Sequence, residues 1–145
     1  MGLLNSGIDI CASGLTAQRL RMDVIANNLA NSTTTRTQNG GPYRRQIVIF
    51  EARSNSRSFK HLLEREIAGA YGVRVKEIAT DNSPLRQVYE PSHPDANPDG
   101  YVSYPNVNVV AEMTDMISAS RSYEANITAL NSIKRMSTKA IEIGR

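Results

Sequence analysis

The chain has 145 residues, with 17 Lys and Arg against 14 Asp and Glu, and a net charge of +3. This length is enough for one ordinary domain, and so small a positive charge does not by itself indicate nucleic-acid binding. Because Cys11 is the only cysteine, an intramolecular disulfide is excluded.

The first segment predicts a long amphipathic helix over residues 3 to about 31. Its apolar positions recur at alternating spacings of four and three, which is the period of a coiled-coil seam. The seam consists of Leu4, Ile8, Cys11, Leu15, Gln18, Met22, Ile25 and Leu29. We therefore expect Cys11 to be a buried small hydrophobic residue and not a reactive thiol. Gly7 and Gly14 each weaken an isolated helix by about 1 kcal/mol, so the seam must bind a partner surface to compensate.

Three asparagines, Asn27, Asn28 and Asn31, fall where this helix should end. Asparagine competes with helical hydrogen bonding through its side chain. Two interpretations stay open: the amides form hydrogen bonds between helices, or they mark a frayed helix end.

The middle of the chain predicts a small, mostly antiparallel β unit of three or four strands. Asn39 to Pro42 form a turn, and polar, basic residues 53–66 predict a mobile loop with a short helix over 59–67. The strand-like runs are Tyr43 to Phe50, Gly72 to Lys76, Leu85 to Tyr89 and Tyr101 to Tyr104.

The helical pattern returns from Asn106 and continues for about 35 residues, with Asn108 as a candidate cap and Glu112 and Asp115 in the early turns. A second seam contains Val109, Met113, Met116, Ser120, Tyr123, Ile127 and Leu130. The predicted fold is therefore α+β: two long terminal helices form an antiparallel coiled-coil pair with a β unit between them. The predicted divisions are 1–35, 36–105 (with a variable loop at 51–70) and 106–145.

The residues that could carry chemistry do not form a convincing site. Asp95, Asn97, Asp99 and Gly100 match the first half of a calcium loop, but Asn106 stands where such a loop needs a bidentate Glu. The two histidines, at 61 and 93, are far apart and neither has a second ligand at metal spacing. We predict no catalytic residue, no cofactor, no metal and no nucleic-acid partner. A calcium- or polymer-binding β module with a helical-hairpin handle remains the alternative.

The start of the chain lacks the marks of a cleaved signal peptide, because the first ionisable side chain is Asp9 and the apolar residues are spread at helical spacing. No run approaches the roughly 18 apolar residues that span a bilayer, so we expect no direct membrane span. The two seams favour assembly, although an ordinary intramolecular hairpin would give the same pattern.

Several motifs resemble those of the bacterial flagellar rod and hook proteins, and of the basal-body rod members in particular. Ile25 to Asn31, followed by Thr33 and Thr34, is similar to the N-terminal signature of that family. Further similar runs cover nearly the whole chain outside 51–70. They are Gly40 to Arg45, Tyr89 to Pro94, Gly100 to Val102, Pro105 to Asn108 and Glu112 to Asn126.

The resemblance implies a structural subunit of the proximal rod, exported by the flagellar type III apparatus without a cleaved signal. It implies a hollow helical tube lined by the paired terminal helices, in a basal body that crosses the periplasm. The implied partners are other rod proteins, copies of the same chain, and the hook–basal-body adaptor at the membrane ring. The predicted assembly interface is Ile8, Leu15, Met22, Ile25, Asn28, Leu29, Met113, Met116, Tyr123, Asn126, Ile127 and Leu130.

Overall fold

A computed structural model of the chain describes residues 2–38, 40–53 and 72–143, and the side chains of 6–38, 40–53 and 72–142. Its elements are helix α1 (Gly2–Ala30), strands β1 (Gln46–Ala52), β2 (Val73–Thr80), β3 (Arg86–Tyr89) and β4 (Tyr101–Tyr104), and helix α2 (Val109–Ile143). The predicted α+β fold, with long terminal helices around a small β unit, is confirmed. The predicted short helix over 59–67 lies outside the described residues.

The ends of both helices are set by asparagine side chains. At the start of α2, the Asn108 Oδ1 accepts hydrogen bonds from the main-chain amides of Val110 (3.0 Å) and Ala111 (3.2 Å). This is the helix cap that the sequence predicts. At the end of α1, the Asn27 carbonyl accepts hydrogen bonds from both the main-chain amide (3.1 Å) and the side-chain Nδ2 (2.9 Å) of Asn31, so the side chain reinforces the last helical hydrogen bond.

Over the described residues, the strands of the β unit form two separate two-stranded antiparallel ribbons, β1–β2 and β3–β4. In the first ribbon Gln46 pairs with Thr80 and Ala52 with Val73, with a register shift between Ile49 and Phe50. The β3–β4 hairpin is closed by Gly100, whose φ of 79° suits glycine. An added Cβ there would lie 2.8 Å from the Tyr89 ring.

The helices pack against each other along their length, and the β1–β2 ribbon lies against α1. Ribbon and helix also meet at Ser13, whose Oγ accepts a hydrogen bond from the Val73 amide at 3.1 Å. The buried apolar side chains of the described residues are few and mostly small: Cys11, Ala17, Val24, Ile25, Val102 and Ala119. The burial of Cys11 is as predicted. So small a core leaves much of the apolar surface for contacts outside this chain.

Candidate assembly interface

Three pairs of facing residues on the two helices are separated by seven and then by fourteen positions along each helix. Gly7 lies against Ile133, Gly14 against Asn126, and Asn28 against Glu112. Seven residues are two turns of a coiled coil. The helix pair is therefore an antiparallel coiled coil with a definite register, in agreement with the predicted period.

Two of these layers are close-packed around glycine. A Cβ added to Gly7 would lie 3.2 Å from Ile133 Cδ1, and one added to Gly14 would lie 3.1–3.3 Å from three atoms of the Asn126 amide. Asn126 is itself held, because its Nδ2 donates to the Ser122 carbonyl at 3.0 Å. The glycines, which weaken α1 alone, therefore give α2 a close approach.

The third layer is polar and centres on Asn28, which is 1% exposed. Its Nδ2 donates to the Gln46 carbonyl (2.8 Å) and to Glu112 Oε2 (3.0 Å). Its Oδ1 accepts from the Gln46 amide (2.9 Å) and the Tyr43 hydroxyl (2.9 Å). All four hydrogen-bonding positions of the amide are used. Of the two interpretations of the asparagines, hydrogen bonding between helices is therefore the one that holds for Asn28.

Glu112 is also 1% exposed, and its charge is balanced by Arg45. Arg45 Nε donates to Glu112 Oε1 at 2.6 Å, and its other guanidinium nitrogens lie 3.6 Å from Asp115 Oδ2 and 3.9 Å from Asp81 Oδ2. Arg21 of α1 adds a second cation, 3.2 Å from Asp115 Oδ1. A buried carboxylate is tolerated only with such a partner, so the two helices and the start of β1 depend on one another here.

A second asparagine binds the same stretch from the other side. Asn106, just before α2, accepts a hydrogen bond from the Arg45 main-chain amide on its Oδ1 at 2.9 Å. Its Nδ2 donates to the Asp81 carbonyl at 3.1 Å. Arg45 and Gln46 are thus held between the end of α1 and the start of α2. We call Asn28, Arg45 and Glu112 the polar cluster.

The polar cluster changes the titration of its neighbours. Burial, together with the nearby negative charge of Glu112, raises the pKa of Tyr43 above its ordinary value of 10.0. At the edge, hydrogen bonds from the hydroxyl and the main-chain amide of Ser83 lower the pKa of Asp81, with a smaller contribution from Arg45. Tyr43 thus keeps its proton, and with it the bond to Asn28, to higher pH than a free tyrosine.

The residues predicted for the assembly interface fall into three groups in the structure. Ile25 and Asn28 are buried, and Met113 is exposed at 51%. The others are partly buried: Ile8, Leu15, Met22, Leu29, Met116, Tyr123, Asn126, Ile127 and Leu130. In the predicted seam of α2, Met116 and Tyr123 are partly buried, as expected. At two other seam positions the prediction is wrong by one residue: Glu112 is buried in place of Met113, and Ala119 in place of Ser120.

The shift leaves an apolar patch on the outside of α2. Val110, Met113 and Ile117 are 74%, 51% and 56% exposed. Spacings of three and four place them on one helix face. We call these three residues the α2 patch. Exposed apolar residues grouped on one face form a candidate contact surface.

In the segment that matches the first half of a calcium loop, Asp95 forms hydrogen bonds within the chain. Asp95 Oδ2 accepts from the Thr35 hydroxyl at 2.8 Å, and the Asp95 amide donates to His93 Nδ1 at 3.1 Å. In the described ranges, no group of three or more His, Cys, Asp or Glu is placed to hold a metal ion. Over the same ranges, no helix has both the length and the hydropathy needed to cross a membrane.

Sequence reasoning did not identify Arg45, Tyr43, Gln46, Asn106 or Glu112 as parts of one cluster. Glu112 was interpreted only as a favourable charge near the helix start. The sequence offered one indication that Glu112 could be buried, because it lies one residue before the predicted seam residue Met113. A carboxylate beside a seam can be buried in it when groups from elsewhere in the chain pair with it, as Asn28 and Arg45 do here.

Two family models match the two helical regions. One, described as Flagella basal body rod protein, matches residues 8–37. The other, described as Flagellar basal body rod FlgEFG protein C-terminal, matches residues 99–143. The first range includes Asn28 and the second includes Glu112, whereas Arg45 lies between them.

Relatives align along nearly the whole chain, and each of the following is a flagellar basal-body rod protein FlgC. That of Borreliella burgdorferi is 52% identical over 152 aligned residues, which cover 99% of this chain and 98% of its own. That of Bacillus subtilis is 47% identical, covering 95% and 96%, and that of Escherichia coli is 41% identical, covering 100% of both. The resemblance seen in the sequence is confirmed, and the chain belongs to the FlgC family of flagellar basal-body rod proteins.

Proposed function

We propose that the chain is a structural subunit of the flagellar basal-body rod and assembles with other rod proteins and with copies of itself into a hollow helical shaft. The observation that carries the proposal is the end-to-end similarity to FlgC proteins, at 41–52% identity. The small core of the described residues and the exposed α2 patch support it, because they leave apolar surface that other subunits can bury.

Assembly on this surface is coupled to ordering of the chain. Burying one large apolar side chain contributes about 1.5–3 kcal/mol, whereas ordering the backbone costs about 1–2 kcal/mol per residue. The margin for a single contact is small, so a subunit is held only when several neighbours bind it at once. The predicted interface residues that are partly buried, together with the α2 patch, supply these contacts.

The location of the subunit follows from this role. The chain is part of the flagellar basal body, in the section of the rod that crosses the periplasm. It reaches that site through the flagellar export apparatus, and contacts the hook–basal-body adaptor at the membrane ring. We assign it no enzymatic activity.

The α2 patch provides the test. Ile117→Asp places a charge on the patch without touching the helix pair, so we expect its unfolding free energy to stay within about 0.5 kcal/mol of the parent. We expect its content in isolated basal bodies, measured by immunoblot, to fall at least about tenfold, since a buried unpaired charge costs several kcal/mol.

Ser118→Asp is the matched control, because Ser118 is the adjacent exposed residue. A strain whose own gene for the protein is deleted should swim on soft agar when it expresses the Ser118→Asp variant. Normal motility and normal incorporation of a chain carrying both Met113→Asp and Ile117→Asp would contradict the proposed interface.

A further inference from the structure

The close-packed layers of the helix pair do not by themselves fix its register. A slip of one helix by seven residues, about 10 Å at 1.5 Å per residue, would bring Gly14 opposite either Ile133 or the position of Ala119. Glycine accepts a small or a branched neighbour, and Gly7 already lies against Ile133. The seven-residue repeat would be preserved after the slip, so another feature must select the observed alignment.

The polar cluster distinguishes the observed register from its neighbours. Asn28 lies near the end of α1 and Glu112 near the start of α2. A slip in one direction brings Asn28 opposite Ala119, and a slip in the other brings it opposite a residue before α2 begins. In both cases Glu112 loses the Asn28 amide, which now binds it at 3.0 Å.

The start of β1 holds the two helix ends at a fixed separation. The Gln46 main chain is bound on both its amide and its carbonyl by Asn28 of α1. The preceding residue, Arg45, is bound through its amide by Asn106, three residues before α2, and through its side chain by Glu112. Gln46 is therefore bound to α1, and the residue before it, Arg45, is bound to α2. A slip of one helix along the other would have to break the hydrogen bonds of one of these two residues.

We propose that Asn28, Arg45 and Glu112 are positioning residues that fix the register of the antiparallel helix pair, with the start of β1 as the spacer between the helix ends. Buried polar residues select one alignment of a coiled coil because a shifted alignment leaves them without partners. The inference goes beyond the role of the chain in the rod and concerns the fold of the single subunit.

Disulfide trapping measures the register directly. In a Cys11→Ala background, Gly7→Cys with Ile133→Cys reports the observed register, and Gly14→Cys with Asn126→Cys reports it a second time. Gly7→Cys with Asn126→Cys and Gly14→Cys with Ile133→Cys report the two slipped registers. Oxidised full-length chain is separated on a denaturing gel, where the intramolecular product keeps the mass of a monomer. If the parent forms its product only after assembly, the chain in isolated basal bodies is used.

We expect the parent to form only the two products of the observed register. Asn28→Leu combined with Glu112→Leu should keep an apolar seam and raise at least one slipped product about tenfold or more. Arg45→Met should do the same with the helix residues unchanged. The matched control is Gln18→Leu, which replaces a partly buried seam amide whose Oε1 has no hydrogen-bond partner among the described residues, and it should form no slipped product.

The other outcomes overturn the proposal. Slipped products in the parent, or in Gln18→Leu as much as in the cluster variants, would show that these residues do not select the register. Cluster variants that form only the products of the observed register would show the same. Variants that lose every product would show that the cluster is needed for pairing itself and not for its alignment.

Discussion

The two halves of the helix pair hold their helices together in different ways. In the half that contains Gly7 and Gly14, the absence of a side chain on α1 admits Ile133 and Asn126 of α2 at van der Waals distance. In the half that contains Asn28 and Glu112, both side chains are long, polar and 1% exposed, and hydrogen bonds join them to a third element. Close packing around glycine holds the helices together in the first half, and hydrogen-bonded polar groups hold them together in the second.

The difference separates attraction from selectivity within one coiled coil. Close packing around glycine gains dispersion contacts but tolerates several neighbours. A buried carboxylate, amide and guanidinium add little net stability and are costly when mismatched. The two halves should therefore respond differently to substitution, and the following changes test that contrast.

The largest effect is expected from Asn28→Asp. The carboxylate removes both donors of the amide and places a negative charge about 3.0 Å from Glu112 Oε2, so the free energy of unfolding should fall by about 3–5 kcal/mol. The matched control is Asn27→Asp, at an exposed neighbour whose Oδ1 accepts from Asn31 and whose Nδ2 donates only a long, exposed hydrogen bond of 3.5 Å to Gln46 Oε1. Urea denaturation followed by circular dichroism measures both variants, and equal losses would remove the distinction between the two asparagines.

An intermediate effect is expected in the glycine half. Gly14→Ala brings a Cβ within 3.1–3.3 Å of an Asn126 amide that is held by Ser122, so overpacking should cost about 1–2 kcal/mol. Gly7→Ala meets only the end of the Ile133 side chain at 3.2 Å. A small rotation of the Ile133 side chain relieves that contact. Alanine also gains at most about 1 kcal/mol in helix propensity over glycine, so the Gly7→Ala variant should be as stable as the parent or more stable. Thermal unfolding of the two variants side by side checks the order, and a more stable Gly14→Ala would reverse it.

The smallest effect is expected from pH. The pKa of Tyr43 is raised above 10.0 in the folded chain by burial and by Glu112, whereas in the unfolded chain it is ordinary. The stability that Tyr43 contributes is therefore present below pH 10 and is lost as the pH rises through the folded pKa. At pH 7, Tyr43→Phe should lose about 1 kcal/mol with the hydrogen bond to Asn28. Urea midpoints of parent and variant should converge from pH 10 upward, and a constant gap would contradict this.

The sequence predicts the helices well because their signals are local. Both the apolar spacing of three and four and the cap at Asn108 depend only on residues that are close together in the sequence. The predicted helix limits agree with the observed limits within a few residues. The four strand-like runs also overlap the four observed strands. Their division into two ribbons is not predictable in this way, because it depends on how each ribbon lies on the helices.

The register of the second seam shows where sequence reasoning fails. Hydrophobic periodicity selected Met113 over Glu112, as it must when only polarity is compared. Two residues far from Glu112 in the chain, Asn28 and Arg45, offset the cost of burying that carboxylate. Such compensation is a property of the fold and leaves no pattern within any one segment. The part played by Asn28 could be suggested from the sequence, but its partners could not.

The attachment of the β1–β2 ribbon has a consequence for how the chain tolerates changes in length. The ribbon is tied to α1 at both ends, through Asn28 at Gln46 and through Ser13 at Val73. The strand ends are closed beyond Ala52 by a hydrogen bond from the Arg53 amide to the Gly72 carbonyl at 2.8 Å. Because both attachments are to α1, the length of the ribbon has to match the span of that helix between Ser13 and Asn28. Inserting or deleting a residue within β1 or β2 would therefore move Gln46 or Val73 away from its partner on the helix, so the strands themselves tolerate little change in length.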